Sequence, residues 1–248
     1  MTMQTPQPAK RRRLYLMRHG SVDYFLPDGT PLPPRGVPLN AAGRAQADAA
    51  GALFAAAEVE PDVVLVSGLP RTVETATRVL AAAGLERRIE RDPEFEEIRS
   101  GRLADIEAEQ LQPAFLGAFQ AAPGVSISAL EPQRFLGGES VGELLDRVLP
   151  ALQRFLERED WQCALLVLHG GVNRALLSSL LAGGRAFFGA IEQAPGCINV
   201  LDMGSGDPPT AVLRGLNLAP TQWLQQREYH TTMEKLLTQY LRRPRPNA

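Results

Sequence analysis

The chain has 248 residues, of which 44% are hydrophobic and 22% charged, and its formal net charge at pH 7 is −2. This composition is ordinary for a globular domain with a sizeable core, and the charge balance gives no reason to expect nucleic acid as a partner. Cys163 and Cys197 lie far apart without a CxxC spacing. That arrangement favours a reduced, cytoplasmic chain without a disulfide framework or a zinc site.

The amino-terminal segment, MTMQTPQPAKRRR, is predicted to be a flexible lead over residues 1–13. No long apolar run follows its basic residues, so neither a secretory signal nor a membrane span is expected. We interpret the cluster from Lys10 to Arg13 as a solvated approach to the first strand rather than as a nucleic-acid patch.

Short apolar runs predict five strands. These cover Leu14–Met17, Val63–Val66, Ala164–Leu168, Ile198–Leu201 and Ala211–Leu213. Helical patterns alternate with the strands and carry start or stop signals. The predicted helices run from the cap Asn40 through Ala56, from Arg71 to Ala83 before Gly84, from Ser140 to Arg158, from Val172 to Leu181 before Gly183, and from Gln222 to Leu241. This alternation predicts a three-layer α/β fold, with a mostly parallel central sheet flanked by helices.

Two segments interrupt the alternation. The first, Leu26–Pro38, reads LPDGTPLPPRGVP and is predicted to be an irregular loop that follows the first strand. The second covers about residues 95–138, with helical pieces between Ile106 and Gln120 and a loop around Pro123. We interpret it as a small cap inserted into a single domain that spans residues 1–248.

Polar side chains follow three of the predicted strands. Arg18 and His19 follow the first strand, Arg71 enters the helix after the second, and His169 follows the third. Because ligands of an open parallel sheet bind at the carboxyl ends of its strands, we expect these four side chains to converge. Arginine forks and helix N-termini both bind phosphate oxygens, so the pattern indicates a phosphate site. The third histidine, His230, lies on the last predicted helix and is interpreted as structural.

Six segments resemble signatures of the histidine phosphatase superfamily, in its phosphoglycerate mutase-like branch. They are LMRHG (16–20), PLNAAGRAQA (38–47), SGLPRTVETA (67–76), FEEIRSG (95–101), GGESVGELLDR (137–147) and LVLHGGVNRAL (166–176). The chain departs from the family pattern at three positions. Val22 stands where many members have Ser or Thr, and Leu103 and Asp105 replace an aromatic residue and a glycine.

The resemblance implies a metal-independent phosphomonoester hydrolase that acts on a small phosphorylated metabolite. His19 would attack phosphorus to form a phosphohistidine, for which its imidazole must be neutral. Arg18, Arg71 and His169, with the backbone of Gly170, would hold the phosphoryl oxygens, because phosphoryl transfer depends mainly on positioning and charge neutralisation. No metal ion or other cofactor is implied.

Glu97 matches the family's general-acid position, four residues before Gly101. It would have to carry a proton near neutral pH, which a substrate phosphate dianion beside it favours by like-charge repulsion. After the first step Glu97 could activate water. Its neighbour Glu96 is the rival for this role.

The outer wall of the site is predicted to consist of Asp23, Tyr24, Phe25, Arg35 and the cap from about residue 103 to 119. Tyr24 and Phe25 could stack on a sugar or a base, or belong to the core. Arg35 could bind a second anionic group, or be a solvated loop residue.

Two further functions remain open from the sequence: a mutase that returns the phosphoryl group to its product, and a non-catalytic module that binds phosphorylated ligands. The short cap disfavours the mutase, and His19 with Glu97 disfavours the binding module. The expected partner is a small phosphorylated substrate, without nucleic acid or membrane, and a homodimer is left open.

Overall fold

The computed structural model describes residues 11–28, 30–102, 106–120, 125–204, 210–224 and 229–241. The strands are β1 (Arg12–Arg18), β2 (Val63–Val66), β3 (Ile89–Arg91), β4 (Cys163–Leu168), β5 (Ile198–Met203) and β6 (Ala211–Leu218). The helices are α1 (Ala41–Ala56), α2 (Pro70–Ala83), α3 (Leu111–Leu116), α4 (Ile127–Leu130), α5 (Val141–Leu156), α6 (Gly170–Ala182) and α7 (Thr232–Leu241).

The strands form one sheet in the order β3-β2-β4-β1-β5-β6. The pairs β3–β2, β2–β4 and β4–β1 are parallel, whereas β5 is antiparallel to both β1 and β6. The predicted three-layer α/β fold with a mostly parallel sheet is therefore confirmed. All five predicted strands are present, and β3 is an additional short strand at one edge.

Alternate residues along the strands enter two separate cores, which is why the fold has three layers. Leu14 and Leu16 of β1 pack with residues of α5 and α6 on one face of the sheet. Met17 of β1 packs with residues of α1 and α2 on the other face. A central strand that is buried on both faces must be apolar throughout, as the predicted strand pattern assumed.

Most helix ends lie where the sequence predicts them. The Asn40 side chain accepts a hydrogen bond from the Gly43 N–H and so caps α1. Helix α5 begins with a capping box between Ser140 and Glu143. Helix α6 ends at Gly183, whose φ of 71° is in the left-handed region that favours glycine.

The last predicted helix begins later than expected. Helix α7 starts at Thr232, whereas residues 222–224 lie in turns, so the predicted start at Gln222 is wrong. The physical reason is a reciprocal cap: the Thr231 N–H donates to the Glu234 carboxylate, and the Glu234 N–H donates to Thr231 Oγ1. This local signal outweighs the apolar pattern farther upstream.

The lead before the first strand is shorter than predicted. Arg12 and Arg13 belong to β1, so the prediction that the flexible lead extends through residue 13 as a solvated approach is wrong for these two residues. The Arg12 guanidinium lies 4.0 Å from the centre of the Trp161 ring, and Arg13 Nε donates to Asp202 Oδ1. Both arginines are therefore held by the protein. Residues 1–10 lie outside the described residues.

The predicted cap segment consists of short helical pieces. The predicted helix near Ile106–Gln120 is realised as a 3-10 turn at Ala108–Gln110 followed by α3, while residues 103–105 and the predicted loop around Pro123 lie outside the described residues. Phe115 of α3 and Tyr240 of α7 pack in one apolar cluster, so the carboxyl-terminal helix lies against the cap. No helix in the described part of the chain is long and apolar enough to cross a membrane.

Candidate active site

The four cationic and imidazole side chains predicted to converge do lie together. Arg18 ends β1 and His19 follows it, Arg71 is the second residue of α2, and His169 is the cap that joins β4 to α6. Their exposed fractions are 7%, 2%, 2% and 0%, respectively. The two imidazole rings are 5.1 Å apart, centre to centre. The cluster forms because β2, β4 and β1 are parallel neighbours in the sheet, so that their carboxyl ends lie at the same edge.

The hydrogen bonds of His19 fix which ring nitrogen is free to react. Its Nδ1 is 2.7 Å from the Gly20 carbonyl oxygen, which can only accept, so Nδ1 carries the hydrogen. The other nitrogen, Nε2, therefore has the lone pair and is 3.3 Å from the Arg71 Nε donor. Burial, then the charges of Arg71 and Arg18, hold the pKa of His19 well below its usual 6.5. His19 is therefore a neutral imidazole at pH 7.

His169 is held by a hydroxyl pair. Its Nε2 is 2.8 Å from Ser67 Oγ, which is 3.1 Å from Thr72 Oγ1. Its Nδ1 is buried and has no hydrogen-bond partner among the described residues. Burial first, then Arg71, His19 and Arg18, lower the pKa of His169 well below 6.5. Ser67 lies in one of the quoted motifs, but sequence reasoning gave it no role.

The guanidinium of Arg18 is anchored on one side only. Its Nη1 donates to the Gln193 carbonyl oxygen and to Thr232 Oγ1, the latter at 2.9 Å. Its Nε is buried without a partner among the described residues. A Cβ at Gly170 would lie 3.5 Å from Arg18 Cζ and Nε, so this glycine gives the guanidinium close access to the start of α6. Gln193 and Thr232 are contacts that sequence reasoning missed.

Arg71 also meets the proline-rich loop. Its Nη1 donates to the Pro34 carbonyl oxygen at 2.7 Å, while its Nε faces His19. The loop after β1 therefore reaches the cluster, as expected for a wall of the site.

Glu97 lies at the amino-terminal end of α6, the helix that His169 caps. Both of its carboxylate oxygens are 3.1 Å from the Gly171 N–H, and Oε1 also accepts from the N–H groups of Val172 and Ile98. A negative charge at a helix N-terminus is stabilised by the helix dipole and by unpaired N–H groups. The predicted acid is thus held at the start of the same helix as the second histidine.

Glu96 has a different environment from Glu97. Its two carboxylate oxygens accept from both terminal nitrogens of Arg35, at 2.5 and 2.7 Å. The Glu96 side chain is 10% exposed and the Arg35 side chain 69% exposed. Arg35, which was expected either to bind a second anion or to be solvated, is therefore part of an ion pair that joins the proline-rich loop to the Glu97 segment.

The other predicted wall residues lie on the proline-rich side. Asp23 accepts from the Asn40 side-chain amide at 2.9 Å, which ties it to the start of α1. The Tyr24 carbonyl accepts from the Leu32 N–H at 2.8 Å, and the Tyr24 side chain is half-buried. Phe25 packs against Tyr240, with ring centres 6.3 Å apart. These contacts order the loop around the site.

Within the described residues, no group of three or more His, Cys, Asp and Glu side chains is arranged to hold a metal ion.

Comparisons with known proteins agree with this arrangement. Phosphoglycerate mutase-like protein 4 of Arabidopsis thaliana is 30% identical over 192 residues, which cover 76% of this chain and 80% of that protein. A solved structure of a putative alpha-ribazole-5'-P phosphatase from Escherichia coli is 25% identical, with a TM-score of 0.61 over 83% of this chain and 96% of that one.

A mycobacterial glucosyl-3-phosphoglycerate phosphatase bound to inorganic phosphate has the same fold, with a TM-score of 0.64 at 22% identity over 84% of this chain and 98% of that one. The sequence profile of the histidine phosphatase superfamily (branch 1) matches residues 14–215. A match over most of the chain, together with the buried pair of histidines at adjacent strand ends, shows that the chain belongs to the histidine phosphatase superfamily.

Proposed function

We propose that the chain is a phosphomonoester hydrolase that works without a metal ion and through a phosphohistidine on His19. The observation that carries this proposal is the pair of buried nitrogens, Arg18 Nε and His169 Nδ1, that have no partner among the described residues. A buried polar atom without a hydrogen bond costs about 1–3 kcal/mol. Phosphoryl oxygens would accept hydrogen bonds from Arg18 Nε and from His169 Nδ1. His169 Nδ1 carries the hydrogen for this bond when the Ser67 hydroxyl donates to Nε2 of the same ring.

In the first step, Nε2 of His19 attacks phosphorus and the bond to the leaving oxygen breaks. The tautomer set by the Gly20 carbonyl makes Nε2 the nucleophile, and the depressed pKa of His19 keeps it unprotonated. As phosphorus approaches, the Arg71 Nε–H that donates to Nε2 turns to a phosphoryl oxygen. Arg18 and Arg71 neutralise the charge on the transferring oxygens, and the neutral His169 donates a hydrogen bond to one of them. Glu97 gives a proton to the leaving oxygen.

In the second step, water attacks the phosphohistidine. Glu97, now a carboxylate, takes a proton from that water, and the bond between phosphorus and Nε2 breaks to release phosphate. His19 returns to its neutral form with its hydrogen still on Nδ1.

The substrate is proposed to be a small phosphorylated metabolite whose leaving group faces the proline-rich loop. Tyr24, Asp23 and the Arg35–Glu96 pair lie on that side and would contact it. Two solved relatives are named as phosphatases of phosphorylated metabolites, which supports hydrolysis. The Arabidopsis relative is named as mutase-like, so transfer of the phosphoryl group to an alcohol is the second candidate function.

The test is a screen of the purified protein against phosphomonoesters, followed by rapid quenching at alkaline pH. We expect an acid-labile, base-stable phosphoprotein that is lost in His19→Ala and retained in His230→Ala, the matched histidine control. Vanadate should inhibit competitively and EDTA should have no effect. Label on Ser or Asp, or activity that EDTA removes and a divalent ion restores, would contradict the proposal.

Hydrolase and mutase are separated by the fate of the phosphoryl group. We expect stoichiometric release of inorganic phosphate, unchanged when the alcohol product is added in excess. Transfer of the labelled phosphoryl group to added alcohol in preference to water would show that the chain acts as a mutase instead.

A further inference from the structure

A buried ion pair lies behind the segment that carries Glu97. Arg147, on α5, donates through Nε and Nη2 to the two carboxylate oxygens of Glu139, at 2.9 and 2.7 Å. The side chains are 8% and 7% exposed, respectively. Glu139 comes directly before Ser140, the residue that caps α5.

The Arg147–Glu139 pair forms hydrogen bonds with the backbone on both sides of Glu97. On the amino-terminal side, Arg147 Nη1 donates to the carbonyl oxygens of Glu94 and Glu96, at 2.6 and 2.8 Å. On the carboxyl-terminal side, the Arg99 N–H donates to Glu139 Oε2 at 2.9 Å, and the Glu139 N–H donates to the Arg99 carbonyl at 2.7 Å. The Glu97 peptide therefore lies between two points that are fixed by one ion pair.

Two glycines allow this close backbone contact. A Cβ at Gly138 would lie 2.2 Å from the Arg99 carbonyl oxygen, and one at Gly101 would lie 2.5 Å from the Leu136 carbonyl oxygen. Both distances are far inside van der Waals contact. The Glu97 segment and the segment before α5 thus pack as one unit.

We propose that Arg147, braced by Glu139, is a positioning residue that aims the Glu97 carboxylate at the leaving oxygen of the substrate. This inference rests on the proposed function. Arginine suits the task because its planar fork reaches a carboxylate and two carbonyls at once, which an ammonium cannot reproduce. A displacement of about 1 Å at a catalytic group can cost about 100-fold in rate.

The test compares two leaving groups in three variants, with phosphoenzyme formation measured by rapid quench. An alkyl phosphate needs a proton on its leaving oxygen, whereas a nitrophenyl phosphate does not. Glu97→Gln defines the pattern, a loss of about 10²–10⁴ that is confined to the alkyl ester. We expect Arg147→Lys to lose about 10–10² with the alkyl ester, close to wild type with the nitrophenyl ester, and to bind vanadate as wild type does.

Arg185→Lys is the matched control. Arg185 pairs with Glu131 and Asp146 and donates to the Gly142 carbonyl, so it also makes a multidentate contact with α5, but away from the Glu97 segment. It should be unaffected with both esters. Because an unpaired buried charge destabilises a fold, the double variant Glu139→Gln with Arg147→Met provides a second route to the same readout.

The outcomes separate this inference from the proposed function. If wild type forms no phosphohistidine, the proposed function fails and the inference fails with it. If wild type and Glu97→Gln behave as expected but Arg147→Lys and the double variant lose both esters equally, or neither, the ion pair is only structural and the inference alone is overturned. Loss confined to the alkyl ester in either variant supports it.

Discussion

A methyl group at Gly171 should displace the Glu97 carboxylate without disturbing the helix. Gly171 is the second residue of α6, and an alanine Cβ there would lie 2.6 Å from Glu97 Oε1 and 3.4 Å from Ile98 Cγ2. Restoring ordinary contact requires the carboxylate to move by about 1 Å. Because the close atom is the end of a flexible side chain, the backbone need not shift.

The two consequences of Gly171→Ala have different sizes. The helix gains up to about 1 kcal/mol from alanine propensity, and the weakened hydrogen bonds to a charged carboxylate cost about 1.5–3 kcal/mol. We therefore expect the free energy of unfolding to fall by no more than about 3 kcal/mol. Catalysis should suffer more, by about 100-fold for an alkyl phosphate, because the proton donor is misplaced.

The assay follows phosphoenzyme formation from an alkyl and a nitrophenyl phosphate, with urea denaturation of the same preparations. Gly184→Ala is the control, since a Cβ at Gly184 meets nothing within 4 Å. A Gly171→Ala protein that turns over the alkyl ester at the wild-type rate would refute the reasoning, because it would show that the present place of the carboxylate does not matter.

Two further predictions concern buried residues of the site. Thr232→Val removes one acceptor of Arg18 and should lower kcat/KM by about 2–12-fold for every ester alike, whereas Thr232→Ser should restore it; a leaving-group-dependent loss would contradict this. His19 and His169 have lowered pKa values, so the unfolded chain binds more protons below pH 6.5. Their contribution to stability should be complete above that pH and decline below it by up to about 1.4 kcal/mol per pH unit for each histidine, and urea denaturation of His169→Gln should show a shallower decline than wild type.

The fold could be predicted to the extent that its signals are local. The cap at Asn40, the helix start at Ser140 and the glycine at 183 each act within one helical turn, and the structure places them at helix ends. Strand β3 was missed because its three residues include Glu90 and Arg91 and form no apolar run. That strand exists because β2 offers it an edge, which is a property of the assembled sheet.

The candidate site could likewise be predicted only in part. Residues that the strands themselves deliver, such as His19 and His169, could be located from the sequence, because parallel strands share one carboxyl edge. The partners that orient them could not, since Thr232 is 214 residues from Arg18 along the chain. The Arg35–Glu96 pair likewise joins two irregular segments whose approach no periodicity encodes.

The surroundings of Glu97 bear on where the proton for the leaving group comes from. Three backbone N–H groups, of Ile98, Gly171 and Val172, donate to its carboxylate and hold it in place. We expect the proton to enter with the substrate, as a phosphate monoanion that passes it to Glu97, which then gives it to the leaving oxygen.

A proton that enters with the substrate gives the two esters different pH profiles. The second pKa of a phosphate monoester is about 6, so kcat/KM for an alkyl ester should fall about tenfold per pH unit above that value. For nitrophenyl phosphate, which needs no proton on its leaving group, no such fall is expected, and the lowered pKa of His19 keeps the nucleophile neutral over the same range. Profiles measured from about pH 6 to 8.5 should therefore diverge as pH rises. Parallel profiles for the two esters would show instead that the proton does not enter with the substrate.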